Sequence, residues 1–112
     1  DLAAGAGKLL AGGPDVVVVT IGPEGAFWRT REAEGMTPGF AVKTVDTTGA
    51  GDAFAAGLLA ALTGSAWPPD AETMRRAMLR ANACGALATT ATGATAGLPR
   101  LPDLERFLAP AR

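Results

Sequence analysis

The chain has 112 residues and a formal net charge of −1, with 48% hydrophobic and 19% charged residues. A chain of this length and composition builds one compact core, and intrinsic disorder is excluded. The ten Lys and Arg residues are scattered rather than clustered, so neither nucleic acid nor an anionic membrane surface is an expected partner.

The groups available for acid–base chemistry are few, because the chain has no His and one Cys. The absence of His excludes imidazole bases, His-containing triads and most zinc sites. Cys84 lies in an Ala-rich helical run, where a small buried thiol without chemistry is expected. No apolar stretch is long enough to cross a bilayer and no signal peptide opens the chain, so a cytoplasmic location is expected.

The first half of the chain predicts a helix followed by strands. Leucines and alanines at helical spacing before residues 12–14, Gly-Gly-Pro, predict a short opening helix. Residues 16–21 are apolar on both faces, which predicts a strand at the centre of a parallel sheet. A turn at 22–25 precedes a second strand at 26–30, and a hairpin is expected to return near Met36. Residues 40–45 predict a further extended segment.

The second half predicts three helices. Residues 50–63 contain a single charged side chain, Asp52, which predicts a mostly buried helix. Asp70 is a candidate N-cap for a second helix with an apolar stripe that includes Met74, Met78 and Cys84. Pro102 is expected to open the last helix, because proline fits the first helical position.

The segment most informative about function is residues 46–54, where an extended run ends in a glycine turn and a helix begins. The first N–H groups of a helix lack internal acceptors and can hold a phosphoryl oxygen, and glycine at 49 and 51 removes the Cβ atoms that would obstruct it. Asp52 could accept the proton of a hydroxyl that attacks the phosphorus. The residues alone leave open an ordinary turn with an acidic side chain favourably placed near a helix N-terminus.

Residues 45–54, continuing to Gly57, resemble the second signature of the PfkB carbohydrate kinases almost letter for letter. Residues 18–26 are similar to the strand and nucleotide turn of that family, and residues 81–94 to its adenine-side helix and following loop. The resemblance implies an α/β fold, the ribokinase-like three-layer α/β/α architecture. It also implies that residues 1–112 form the C-terminal nucleotide-binding and catalytic portion, with the N-terminal sugar-binding and lid part absent.

The same resemblance implies roles for individual residues. Asp52 would be the general base, with Gly49, Ala50 and Gly51 forming the anion hole. The residues expected to bind ATP are Thr20, Gly22 and Gly25 along the groove and Asn82 near the adenine.

The cofactors implied are ATP, Mg²⁺ and K⁺. The potassium ligands would be the Asp46 side chain and the carbonyls of Thr48, Ala88, Ala91 and Gly93. Gly97 falls where some relatives have a Ser, so the resemblance assigns no outermost ligand here. The Asp46 carboxylate can alternatively cap the turn at Thr48.

The resemblance implies a fructokinase-like enzyme that phosphorylates a sugar hydroxymethyl group at the expense of ATP. Residues 82–90 look most like fructokinases and 2-keto-3-deoxygluconate kinases. The 112 residues alone are expected to have little or no activity, and a homodimer would form through the missing lid region. Two alternatives stay open: a non-catalytic nucleotide-binding or interaction module, and a structural fragment that completes the sheet of a partner.

Overall fold

The computed structural model describes residues 1–90 and 101–109, which form a small sheet between helices. The elements are α1 (Leu2–Ala11), β1 (Val16–Thr20), β2 (Gly25–Thr30), β3 (Glu34–Pro38), α2 (Ala50–Leu62), α3 (Ala71–Ala88) and α4 (Leu101–Leu108), with a 3₁₀ turn at Gly22–Glu24.

The sheet has the order β1-β2-β3 and is antiparallel throughout. The prediction that β1 lies at the centre of a parallel sheet is therefore wrong for the described residues, in which β2 is central and β1 pairs with β2 alone. The reason is the turn at 22–24, which returns the chain directly beside β1. A parallel neighbour would need a crossover of about a dozen residues.

Both faces of the sheet are nevertheless covered, which explains the unbroken apolar run in β1. On one face, Val17 and Phe27 pack in a cluster with Leu10 of α1. On the other face, Trp28, which is only 1% exposed, packs with Met78 of α3. Alternating side chains of a strand point to opposite faces, so helices on both sides of the sheet produce the predicted α/β/α layers.

Helix α2 is less buried than its composition predicts. Ala53, Phe54 and Leu62 are buried, whereas Leu59 is 67% exposed. The prediction of a mostly buried helix is wrong for this structure because α3 covers a single side of α2. The two helices approach closely at Gly57, where an added Cβ would lie 2.7 Å from the Cys84 Sγ.

The remaining element predictions are largely confirmed. The hairpin returns through β3, and Asp70 caps α3 by accepting a hydrogen bond from the Thr73 N–H at 2.8 Å. Cys84 is buried, and that burial raises the pKa of its thiol. Residues 40–45, however, form no strand. Across residues 1–90 and 101–109, no helix is both long and apolar enough to cross a membrane.

Candidate active site

A sharp bend precedes α2 and sets the direction in which this helix starts. The Asp46 Oδ1 accepts a hydrogen bond from the Thr48 N–H at 2.8 Å, which forms the cap considered above as the alternative role of Asp46. Gly49 follows with φ +79°, a left-handed conformation that costs a residue with a Cβ about 1–2 kcal/mol. The backbone therefore favours glycine at 49.

The first turn of α2 presents unpaired amide groups. The first intrahelical hydrogen bond runs from the Ala53 N–H to the Gly49 carbonyl at 2.9 Å, as expected from the geometry of a helix start. The Ala50 N–H already donates to the Thr47 carbonyl at 3.2 Å, which corrects the expectation that its amide is open to a ligand. In the described part of the chain, the Gly51 and Asp52 N–H groups have no acceptor.

The space in front of these amides is open. Gly51 and Asp52 are both exposed, and a Cβ added to Gly51 would meet nothing within 4 Å. A phosphoryl oxygen could thus approach the two amides, with the Asp52 carboxylate on the same turn and accessible to a substrate. This donor set fits the anionic end of ATP.

The C-terminal end of α3 holds the bend in place. The Thr89 carbonyl accepts hydrogen bonds from the Val45 N–H at 2.7 Å and from the Asp46 N–H at 3.0 Å. An added Cβ at Gly85 would lie 3.4 Å from the Ala50 carbonyl oxygen, an ordinary contact distance, so α3 passes close to the start of α2 at this point. Sequence reasoning did not single out Thr89 or Gly85, although a glycine inside a helix is a signal of close packing.

The predicted potassium ligands are only partly described. Ala88 is buried in the last turn of α3, next to the residue that anchors Asp46. Ala91 and Gly93 lie outside the described residues. Within residues 1–90 and 101–109 no three acidic, His or Cys side chains converge in a way that could hold a metal ion. A carboxylate with backbone carbonyls is a different kind of site, and the potassium and magnesium assignments stay predictions.

The predicted nucleotide turn leaves the end of β1. Gly22 and Gly25 have φ values of +58° and +118°, which favour glycine, and Thr20 is exposed beside them. An added Cβ at Gly25 would lie 2.0 Å from the Thr37 carbonyl oxygen. The turn therefore packs backbone against backbone on the end of β3.

Asn82 lies behind this turn, on α3. It is 8% exposed, and its Nδ2 donates to the Thr37 and Pro38 carbonyls at 3.0 and 3.1 Å. The structure thus connects Asn82 to the 22–25 turn through residues 37–39, and the bend at 45–46 to the end of α3. The roles of these residues in ATP binding and catalysis stay predictions.

Two enzymes with related sequences are a probable fructokinase-7 of Arabidopsis thaliana and the aminoimidazole riboside kinase of Salmonella typhimurium. The first is 42% identical over 87% of this chain and 29% of its own length. The second is 44% identical over 86% of this chain and 30% of its own length. The chain thus spans about a third of the length of these relatives.

A similar solved structure is a double mutant of the fructokinase from Vibrio cholerae O395 with fructose, ADP and potassium bound. It has a TM-score of 0.87 and 40% identity, over 97% of this chain and 35% of that one. This similarity confirms the predicted ribokinase-like fold. Residues 1–101 also match the pfkB family carbohydrate kinases. The chain therefore belongs to the pfkB family of carbohydrate kinases.

Proposed function

We propose that this chain supplies the nucleotide-binding and proton-accepting portion of an ATP-dependent sugar kinase. The observation that carries the proposal is the start of α2, where two unpaired amides, of Gly51 and Asp52, share one exposed turn with the Asp52 carboxylate. Family membership supports the reaction class. Because the chain spans about a third of its relatives, the remaining sugar-binding and lid regions are proposed to lie N-terminal to it.

In this proposal Asp52 is the general base. A hydroxymethyl oxygen of the sugar attacks the γ-phosphorus, its proton passes to the Asp52 carboxylate, and the bond from phosphorus to the ADP oxygen breaks. The Gly51 and Asp52 amides donate to the oxygens of the transferring group, where charge is concentrated. A positioned base contributes about 10²–10⁴-fold, and one oxyanion donor about 10²–10³-fold.

The metal ions have separate proposed roles. Mg²⁺, carried with ATP, neutralises phosphate charge when it is bound. A potassium ion would be held by the Asp46 carboxylate and nearby carbonyls, including those of Thr48 and Ala88. Asp46 already shapes the bend through its hydrogen bond to the Thr48 N–H, so a cation there would act on the same loop that presents the amides.

The proposed substrate class is a sugar with a free hydroxymethyl group, and fructose is the first substrate to test. Fructokinases recur among the relatives, and the solved structure with a similar fold contains fructose. The aminoimidazole riboside kinase makes a riboside the second substrate to test.

Calorimetric titration of ATP into the chain tests the proposed groove directly. We expect saturable binding that is tighter in potassium chloride than in tetramethylammonium chloride, because potassium would order the loop at Asp46. No binding at millimolar ATP would contradict the proposal and favour the structural alternative. Binding without phosphoryl transfer, in a protein of family length, would indicate the non-catalytic module.

A further inference from the structure

Asn82 stands out because it is one of two buried polar side chains in the described residues, the other being Thr30. A side-chain amide nitrogen carries two hydrogens, and both hydrogen bonds of the Asn82 Nδ2 go to backbone carbonyls about 45 positions away in sequence. These two partners fix the orientation of the Asn82 amide. In the flipped orientation, the Oδ1 atom would face the two carbonyl oxygens and could not donate to either of them. No Nδ2 hydrogen is left to recognise a nucleotide base.

The two carbonyls that Asn82 holds form the support of the 22–25 turn. The Gly39 N–H donates to the Glu24 carbonyl at 3.1 Å. Added Cβ atoms would lie 2.0 Å from the Thr37 carbonyl oxygen at Gly25 and 2.2 Å from the Pro23 carbonyl oxygen at Gly39. With no side chain between the two backbones, a shift of residues 37–39 must move the turn.

Helix α3 also supports the bend that precedes Asp52. Thr89 is seven residues after Asn82, which is about 10 Å along a helix axis, and its carbonyl anchors Val45 and Asp46 ahead of the bend at Gly49. Helix α3 therefore contacts the supports of both turns, through Asn82 at one point and through Thr89 at the other.

We propose that Asn82 is a positioning residue that fixes the 22–25 turn relative to the Asp52 turn by fastening the end of β3 to α3. This proposal rests on the proposed function and refines the expectation that Asn82 lies near the adenine. Its consequence is specific: the residue governs affinity for the triphosphate whatever its base, and contributes little to the choice between adenine and guanine.

The test compares Asn82→Asp with wild type in the protein of family length. Aspartate has nearly the same shape and keeps an acceptor oxygen, but an ionised carboxylate has no hydrogen to donate to the two carbonyls. We expect the Kd values of ATP and of GTP to rise by the same factor, about tenfold or more, while the KM of the sugar changes less than twofold.

Two further variants separate positioning from folding. Cys84→Ala is the matched control, since it alters a buried side chain on the same helix that makes no hydrogen bond to either turn or to residues 37–39, and it should leave both Kd values unchanged. Asn82→Ala removes the donors without introducing a buried charge, and it carries the test if the aspartate variant does not fold. It should also weaken ATP and GTP equally.

Three outcomes would overturn the proposal. A loss of affinity for ATP alone would mean that Asn82 recognises the adenine base. Unchanged affinity for both nucleotides would mean that the hydrogen bonds from Asn82 to residues 37 and 38 do not affect nucleotide binding. An equal loss in Cys84→Ala would reduce the effect to general destabilisation. The wild-type protein in the same assay tests the proposed function separately, because only its failure to bind ATP or to phosphorylate a sugar argues against the kinase itself.

Discussion

The two glycines that flank Ala50 are explained by different physical causes. Gly49 adopts a left-handed conformation that its position demands. Gly51 has neither a positive φ nor any neighbour that an added Cβ would touch. Nothing in the described residues requires glycine at 51, which is consistent with the proposed approach of a phosphoryl oxygen to its amide.

This difference predicts opposite effects of alanine on stability. Gly51→Ala should leave the free energy of unfolding unchanged or raise it by up to about 1 kcal/mol, because alanine reduces the freedom of the unfolded chain. Gly49→Ala should lower it by about 1–2 kcal/mol, the cost of the left-handed backbone. Urea denaturation of both variants measures these changes.

The effect of Gly51→Ala on activity should differ from its effect on stability. Gly51→Ala should lower kcat/KM for ATP about a hundredfold in the protein of family length, on the scale of losing one oxyanion donor, because the methyl group obstructs access to the amide. A stable Gly51→Ala variant with wild-type kcat/KM would show that no phosphate approaches this amide.

Helix α2 shows that local composition does not determine which of its side chains are buried. Leu59 and Leu62 lie on one helix with similar neighbours in sequence, yet they are 67% and 9% exposed. Leu62→Ala should cost about 2–5 kcal/mol of stability in the 112-residue chain, because it opens a cavity in the main core. Leu59→Ala should change stability by no more than about 0.5 kcal/mol. Equal losses in thermal or urea unfolding would mean that α2 packs differently.

The elements themselves were largely predictable from sequence, because spacing and caps are local signals. The Asp70 cap and the return of the hairpin near Met36 are examples. The antiparallel pairing of β1 and the partial exposure of α2 were not predictable from sequence. A run of apolar residues does not specify which strands or helices pack against it. Of the candidate site, the position of Asp52 on the first helical turn was predictable. The carbonyl partners of Asn82, about 45 residues away, were not.

A few polar contacts connect segments of the fold that are distant in sequence. Asp15, just before β1, accepts hydrogen bonds from Arg31 at 2.8 Å and from the Trp67 Nε1 at 2.7 Å. The β2–β3 turn and the α2–α3 loop are thereby joined to the start of β1. Together with the hydrogen bonds that join α3 to residues 37–38 and 45–46, these bonds hold the three layers together.

The proposal that Asp52 is the proton acceptor of a phosphoryl transfer can be tested by one substitution. Its most direct test is Asp52→Asn in the protein of family length, with kcat for the sugar and Kd for ATP measured on one preparation. Asparagine keeps the shape but cannot take the proton, so kcat should fall at least about a hundredfold while Kd changes little. A variant that retains a tenth or more of the wild-type kcat would exclude Asp52 as the general base.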